Sequence, residues 1–120
     1  VVVDEPEILG GKDQGPTPYD LLCTALGSCT TITLRMYADR KGWPLEEITA
    51  RVTHHRAQAA GSPPDAPPID HFRVELNFRG PLTLPQRVRL LEIADRCPVH
   101  RTLVRGSRIR TVAMPPDREA

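Results

Sequence analysis

Residues 18–42 read PYDLLCTALGSCTTITLRMYADRKG, and this stretch decides the fold. Leu22, Ala25, Leu26, Cys29, Ile32, Thr33, Met36 and Tyr37 recur at steps of three and four, the spacing of one apolar stripe on an α-helix. Pro18 stands where a helix tolerates a missing N–H, and Gly42 where helices tend to stop. The spacing predicts one long helix from about Tyr19 to Gly42. Upstream, Gly10 to Pro18 holds three glycines and two prolines and reads as a loop. The chain opens on Val1-Val2-Val3 without a methionine, so either the start is processed or a front segment is absent. This β-branched run is expected to finish a strand begun earlier, an N-terminal strand that is incomplete here.

Downstream the period changes. Glu47 to Arg56 alternates Ile48, Ala50 and Val52 with polar neighbours, as a half-buried strand does. Residues 57–68 pack four prolines and a glycine into twelve positions and must form an exposed loop. From His71 to Arg79, Phe72, Val74, Leu76 and Phe78 alternate with Arg73, Glu75, Asn77 and Arg79, a strand with one wet face. The two strands are expected to pair as a hairpin. Thr83 followed by Gln86 fits a capping box, with Leu84, Val88, Leu91 and Ala94 as the buried stripe of the helix behind it. Pro98 ends that helix, a second short helix runs from Val99 to Arg105, and Gly106 stops it. Ser107 to Ala113 reads as a last strand and Pro115 to Ala120 as tail. The pattern is an α+β chain, and 120 residues make a single domain, 1–120.

Composition narrows the function. Sixteen basic residues against fifteen acidic ones leave a net charge of +1, which gives no field to recruit nucleic acid or an anionic membrane. No apolar run approaches the roughly 18 residues that span a bilayer, and no charged-then-apolar leader opens the chain. A cytoplasmic location is expected. Three cysteines are too few for a disulfide framework and turn attention to thiol chemistry or a metal.

Cys29 lies on the helical stripe behind Gly27 and Ser28. A glycine inside a helix costs about 1 kcal/mol relative to alanine, so Gly27 points to a close approach by another backbone or a ligand. Cys97 precedes Pro98, which makes it the N-cap of the short helix. There the helix amides and the positive dipole end face its sulfur, with Arg96 and Arg101 nearby in sequence. Reactive and structural readings of Cys97 are evenly balanced on these features alone. Cys23, about 120° around the helix from Cys29, reads as a core residue. A zinc site on Cys29, Cys97 and His100 competes, but no second ligand pair of suitable spacing accompanies it, and no metal or other cofactor is expected. His54, His55 and His71 read as solvent-facing positions. Ser28 lacks a nucleophile-elbow pattern, so a hydrolase triad is set aside.

Four segments together resemble the OsmC/Ohr family of thiol peroxidases. They are Gly15-Pro16-Thr17-Pro18-Tyr19-Asp20-Leu21-Leu22, then Ala25-Leu26-Gly27-Ser28-Cys29-Thr30, then Leu34-Arg35-Met36-Tyr37-Ala38, then Asp95-Arg96-Cys97-Pro98-Val99-His100. The resemblance covers nearly the whole chain and is nearest to the OsmC-like branch. It implies an intertwined homodimer with antiparallel sheets packed around a long central helix and active sites at the dimer interface. It also implies an organic hydroperoxide reductase in which Cys29 is peroxidatic and Cys97 resolving, recycled by an external thiol or dithiol. In one branch a glutamate directly follows the motif proline. Here that place is Tyr19 and the acid is Asp20, so both are candidate supporting residues. The family's thiolate-holding arginine comes from an N-terminal strand, whereas the first arginine here is Arg35, so that arginine is expected either in an absent front segment or from elsewhere in the chain, with Arg96 and Arg101 as candidates. A non-enzymatic family member, binding small apolar ligands or acting as a redox-responsive partner, is the alternative.

Overall fold

The structure, a computed structural model, describes residues 2–116. Helix α1 spans Pro18–Lys41. Thr17 caps it reciprocally: its hydroxyl accepts from the Asp20 N–H at 3.0 Å, and the Asp20 carboxylate accepts from the Thr17 N–H at 3.0 Å. Gly42, with φ +70°, closes the other end in the left-handed conformation that lacks a Cβ penalty. Strands β1 (Glu47–Ala57) and β2 (Ile69–Arg79) pair antiparallel, with Glu47 opposite Arg79 and Ala57 opposite Ile69. Helix α2 runs from Leu84 to Ala94 behind the Thr83–Gln86 capping box, and α3 from Pro98 to Arg105. The result is α+β, a two-stranded antiparallel sheet with three helices.

Strand alternation puts Ile48, Ala50, Val52 and His54 on one face with their partners Phe78, Leu76, Val74 and Phe72. α1 lies against the β1 side of that face. A Cβ built on Gly27 would stand 3.0 Å from a Val52 methyl and 3.8 Å from the Ala50 Cβ. The close approach expected at Gly27 is therefore made by β1. Leu34 and Ala38 of α1 join Leu45, Phe78, Leu82, Leu90, Ile93 and Ala94 in one apolar cluster. Arg87 fastens the end of β2 by donating to the Phe78 and Gly80 carbonyls at 2.9 and 3.0 Å.

Several expectations need correcting. α1 buries Cys23, Leu26, Gly27, Thr30, Leu34 and Ala38, whereas Leu22, Ile32 and Met36 of the anticipated stripe are exposed. The helix thus carries two apolar faces about 120° apart, and the chain covers one of them. α2 likewise buries Leu90, Ile93 and Ala94 while Leu84, Val88 and Leu91 are exposed, because β2 and α1 approach from the other side. Ser107 to Ala113 is not a strand: it has no ladder partner among the described residues, and Ile109 and Val112 project into solvent. Val2 and Val3 are irregular backbone, and Val1 lies outside the described residues. His54 points inward, because the period-two alternation of β1 continues through it.

The chain spreads itself thinly. Its radius of gyration is 19.0 Å, where about 14 Å is usual for 120 residues. Its accessible surface is 9470 Å², against about 6,400 Å² for a self-contained monomer of this mass. No helix among the described residues is long and apolar enough to cross a membrane.

Candidate functional site

The break at Cys97-Pro98 turns the chain out of α2 and starts α3 against α1. That turn brings Cys97 near Cys29, 68 positions earlier in the chain, close enough for each thiol to perturb the other. All three cysteines are free. Cys97 is fully buried, while Cys29 is half-buried on the α1 face that carries Leu22, Ile32 and Met36. One cysteine is thus partly exposed and the other closed off from solvent.

The two thiols differ electrostatically. Burial pushes the Cys29 thiol above its ordinary range, and the Cys97 side chain adds to the rise, outweighing the Val99 N–H and the Thr33 hydroxyl. Burial acts on Cys97 in the same sense. It is overcome by the Cys29 side chain, the His100 N–H, the Thr30 hydroxyl and the Val99 N–H, so this thiol sits below its ordinary range. Cys97 is the N-cap of α3 and makes no capping hydrogen bond through its side chain, yet the first-turn amides of α3 act on its sulfur.

The remaining residues singled out in the sequence stand elsewhere. Asp20 is engaged in capping α1 and, after burial, raises the thiol of Cys23. Cys23 is buried, as a core residue is. Tyr19 stacks on the His54 ring, centroids 4.1 Å apart and planes 8° from parallel. Arg96 is exposed and acts on the Tyr37 phenol, and Arg101 is exposed on α3. Arg35 donates to the Leu45 and Glu46 carbonyls, so it fixes the α1–β1 connection. Among the described residues no group of three His, Cys, Asp or Glu side chains is placed to hold a metal ion.

A groove of about 750 Å³ opens between α1, β2, α2 and α3. Leu26, Phe72, Val74, Leu76, Leu91 and Leu103 make its walls apolar, and Thr30 and His100, both neighbours of Cys97, contribute to its lining. Tyr19 and Asp70 also line it. Asp70 accepts from His54 Nε2 at 2.8 Å and pairs with Arg56 at 3.4 Å. Sequence reasoning missed Thr30 and His54. The signals were present: Thr30 is one residue, or about 100°, beyond Cys29 toward the covered face, and His54 follows Ala50 and Val52 at period two.

The sequence model of the OsmC-like protein family matches residues 11–112. No curated protein matches significantly. Among solved structures, a candidate osmotic stress induced and detoxification response protein from Psychrobacter arcticus 273-4 superposes with a TM-score of 0.68 at 24% identity, over 83% of this chain and 69% of that one. An organic hydroperoxide resistance protein OsmC from Legionella pneumophila gives 0.65 at 18% identity, over 83% and 70%. An OsmC like protein from Mycoplasma pneumoniae gives 0.66 at 20%, over 83% and 68%. With a family match running through both cysteine segments and a fold shared with these proteins, the chain belongs to the OsmC-like protein family.

Proposed function

We propose that the chain is a thiol-dependent peroxidase that reduces organic hydroperoxides to alcohols. The observation that carries this reading is the proximity of a half-buried Cys29 and a fully buried Cys97, each thiol perturbing the other. A Cys29 thiolate attacks the terminal oxygen of the hydroperoxide, the O–O bond breaks, and the departing alkoxide takes a proton to become the alcohol. Cys29 is left as a sulfenic acid. Cys97 attacks that sulfur, water departs with the hydroxyl, and a Cys29–Cys97 disulfide forms. Two external thiol groups then reduce it. Metal and organic cofactors have no part in this cycle. The apolar groove beside the pair favours a hydroperoxide with a hydrocarbon body over hydrogen peroxide.

The working unit under this reading is a homodimer in the cytoplasm. OsmC/Ohr proteins are typically dimeric. The exposed α1 face of Leu22, Ile32 and Met36, the unpaired segment from Ser107 to Ala113 and the excess surface of about 3,000 Å² support it. Interfaces of that size are typical of obligate dimers.

The test is turnover of cumene hydroperoxide with dithiothreitol as reductant. Consumption should exceed that of a Cys29→Ser variant by orders of magnitude. A wild-type rate equal to the variant's would end the proposal. The groove supports a second reading, a binder of small lipophilic molecules. Under that reading lipophilic ligands raise the melting temperature equally in the Cys29→Ser variant, and no hydroperoxide is consumed.

A further inference from the structure

The face of the hairpin turned away from α1 carries a second group of ligating side chains. His54 points inward, so His55 beside it stands on the outer face, and the strand register sets it directly opposite His71. Directly opposed residues hold their Cβ atoms about 4.5–5.5 Å apart. The two imidazole rings lie 9° from parallel with centroids 4.8 Å apart. His55 is exposed and His71 half-buried. Nε2 of His71 is 3.0 Å from the Ala57 carbonyl oxygen. A carbonyl can only accept, so Nε2 carries the ring proton and Nδ1 keeps its lone pair. Histidines that bind metal ions are held in this way, with the other ring N–H given to a backbone carbonyl or a carboxylate. The hydrogen bonds of the described residues engage the rings of His54 and His71 but not that of His55, which can turn about χ2, a soft torsion.

The spacing suits a shared ion. Imidazole nitrogens bind transition ions at about 2.0–2.1 Å, which puts each ring centroid about 3.2 Å from the metal. At ligand angles of about 90–110°, two such centroids stand about 4.5–5.2 Å apart, and the 4.8 Å between His55 and His71 falls inside that range. We propose that His55 and His71 form a surface site for a divalent first-row transition ion, with water completing its coordination. Two imidazoles without a carboxylate select Cu²⁺, Ni²⁺ and Zn²⁺ over Mg²⁺ and Ca²⁺, and Cu²⁺ binds most tightly. The nearest cation along this face of β2, Arg73, directs its Nε to the Glu75 carboxylate at 3.5 Å, which offsets its repulsion of the ion. A bound ion pins the strands two ladder pairs from Ala57 and Ile69, the last pair before the loop. The site supplies nothing to the peroxidase cycle and stands whether or not that reading holds.

Nickel provides the test, because thiols do not reduce it. Untagged protein is titrated with Ni²⁺ by calorimetry and by amide NMR of nitrogen-labelled protein. One ion per chain is expected, with paramagnetic broadening strongest at the amides flanking His55 and His71. His55→Gln and His71→Gln, each checked for an intact fold by circular dichroism, should each weaken binding by about tenfold or more, because a chelate loses most of its affinity with one arm. Unchanged affinity in either variant would overturn the site. Broadening centred on the cysteine segments of α1 and α3, or no heat and no broadening at millimolar Ni²⁺, would overturn it as well.

Discussion

Replacing Gly27 by alanine sets two opposed effects against each other at the contact that seats α1 on the sheet. In an unobstructed helix interior, alanine is favoured over glycine by about 1 kcal/mol. Here the added methyl would lie 3.0 Å from Val52 Cγ2 and 3.8 Å from Ala50 Cβ. Carbon atoms pack best at about 3.5–4.0 Å, so the Val52 methyl must retreat by about half an ångström. Valine is stiff at χ1, and the adjustment falls on the β1 backbone. Overpacking of this kind costs about 1–3 kcal/mol. The balance is a net loss of about 1 kcal/mol. Urea unfolding at matched protomer concentration reads it as a lower midpoint with an unchanged slope. Adding Val52→Ala should recover the helix gain, a coupling of about 1 kcal/mol in the double-mutant cycle. A Gly27→Ala protein more stable than wild type by about 1 kcal/mol would show that β1 does not rest on Gly27, and the packing of α1 described above would be wrong.

Three further outcomes are expected. A Cys97→Ser variant should take up one oxygen at Cys29 from cumene hydroperoxide and yield a dimedone adduct with no intrachain disulfide; a variant that still turned over at the wild-type rate would dismiss Cys97 as the resolving group. Because burial holds the Cys29 thiol above its ordinary range, its nucleophilic form grows as pH rises. The rate of its oxidation should therefore climb by up to about tenfold per pH unit through the neutral and mildly alkaline range, and a flat profile would contradict this. Leu90 is 0% exposed at the centre of the apolar cluster, so Leu90→Ala should cost about 2–5 kcal/mol in urea unfolding, with a loss under about 1 kcal/mol counting against that core.

Local chemistry was legible in the sequence to a useful depth. Pro18, Gly42, the Thr83–Gln86 pair and Pro98 each act on their own backbone, so helix ends could be read within a residue or two. The alternation from Phe72 to Phe78 fixed the inward face of β2 for the same reason. Burial was harder, since it depends on what approaches from elsewhere. Leu22, Ile32 and Met36 form a convincing stripe on α1, but the chain's own sheet settles on the face of Leu26, Gly27, Thr30, Leu34 and Ala38. The apolar richness of the other face is a property of the surface α1 leaves open. The same holds for Ser107 to Ala113: an alternating segment becomes a strand only when a neighbour supplies the ladder.

The candidate site was legible through Cys29 and Cys97 and opaque around them. Nothing in local spacing says that residues 68 positions apart meet; the resemblance of both cysteine segments to one family carried that expectation. Thr30 was passed over because a threonine beside a cysteine has no motif of its own. Its burial follows from its place on the covered face of α1. His54 reads as solvent-facing in the sequence, although one of two neighbours on a half-buried strand must face inward.

The pairing of the two sulfurs under oxidant is the claim to measure first. Reduced protein receives one equivalent of cumene hydroperoxide per chain, is alkylated after seconds, and is mapped by peptide mass. The account predicts one disulfide joining Cys29 to Cys97, with Cys23 carrying the alkyl label. Recovery of Cys29 and Cys97 both alkylated, with the hydroperoxide unconsumed, would contradict it.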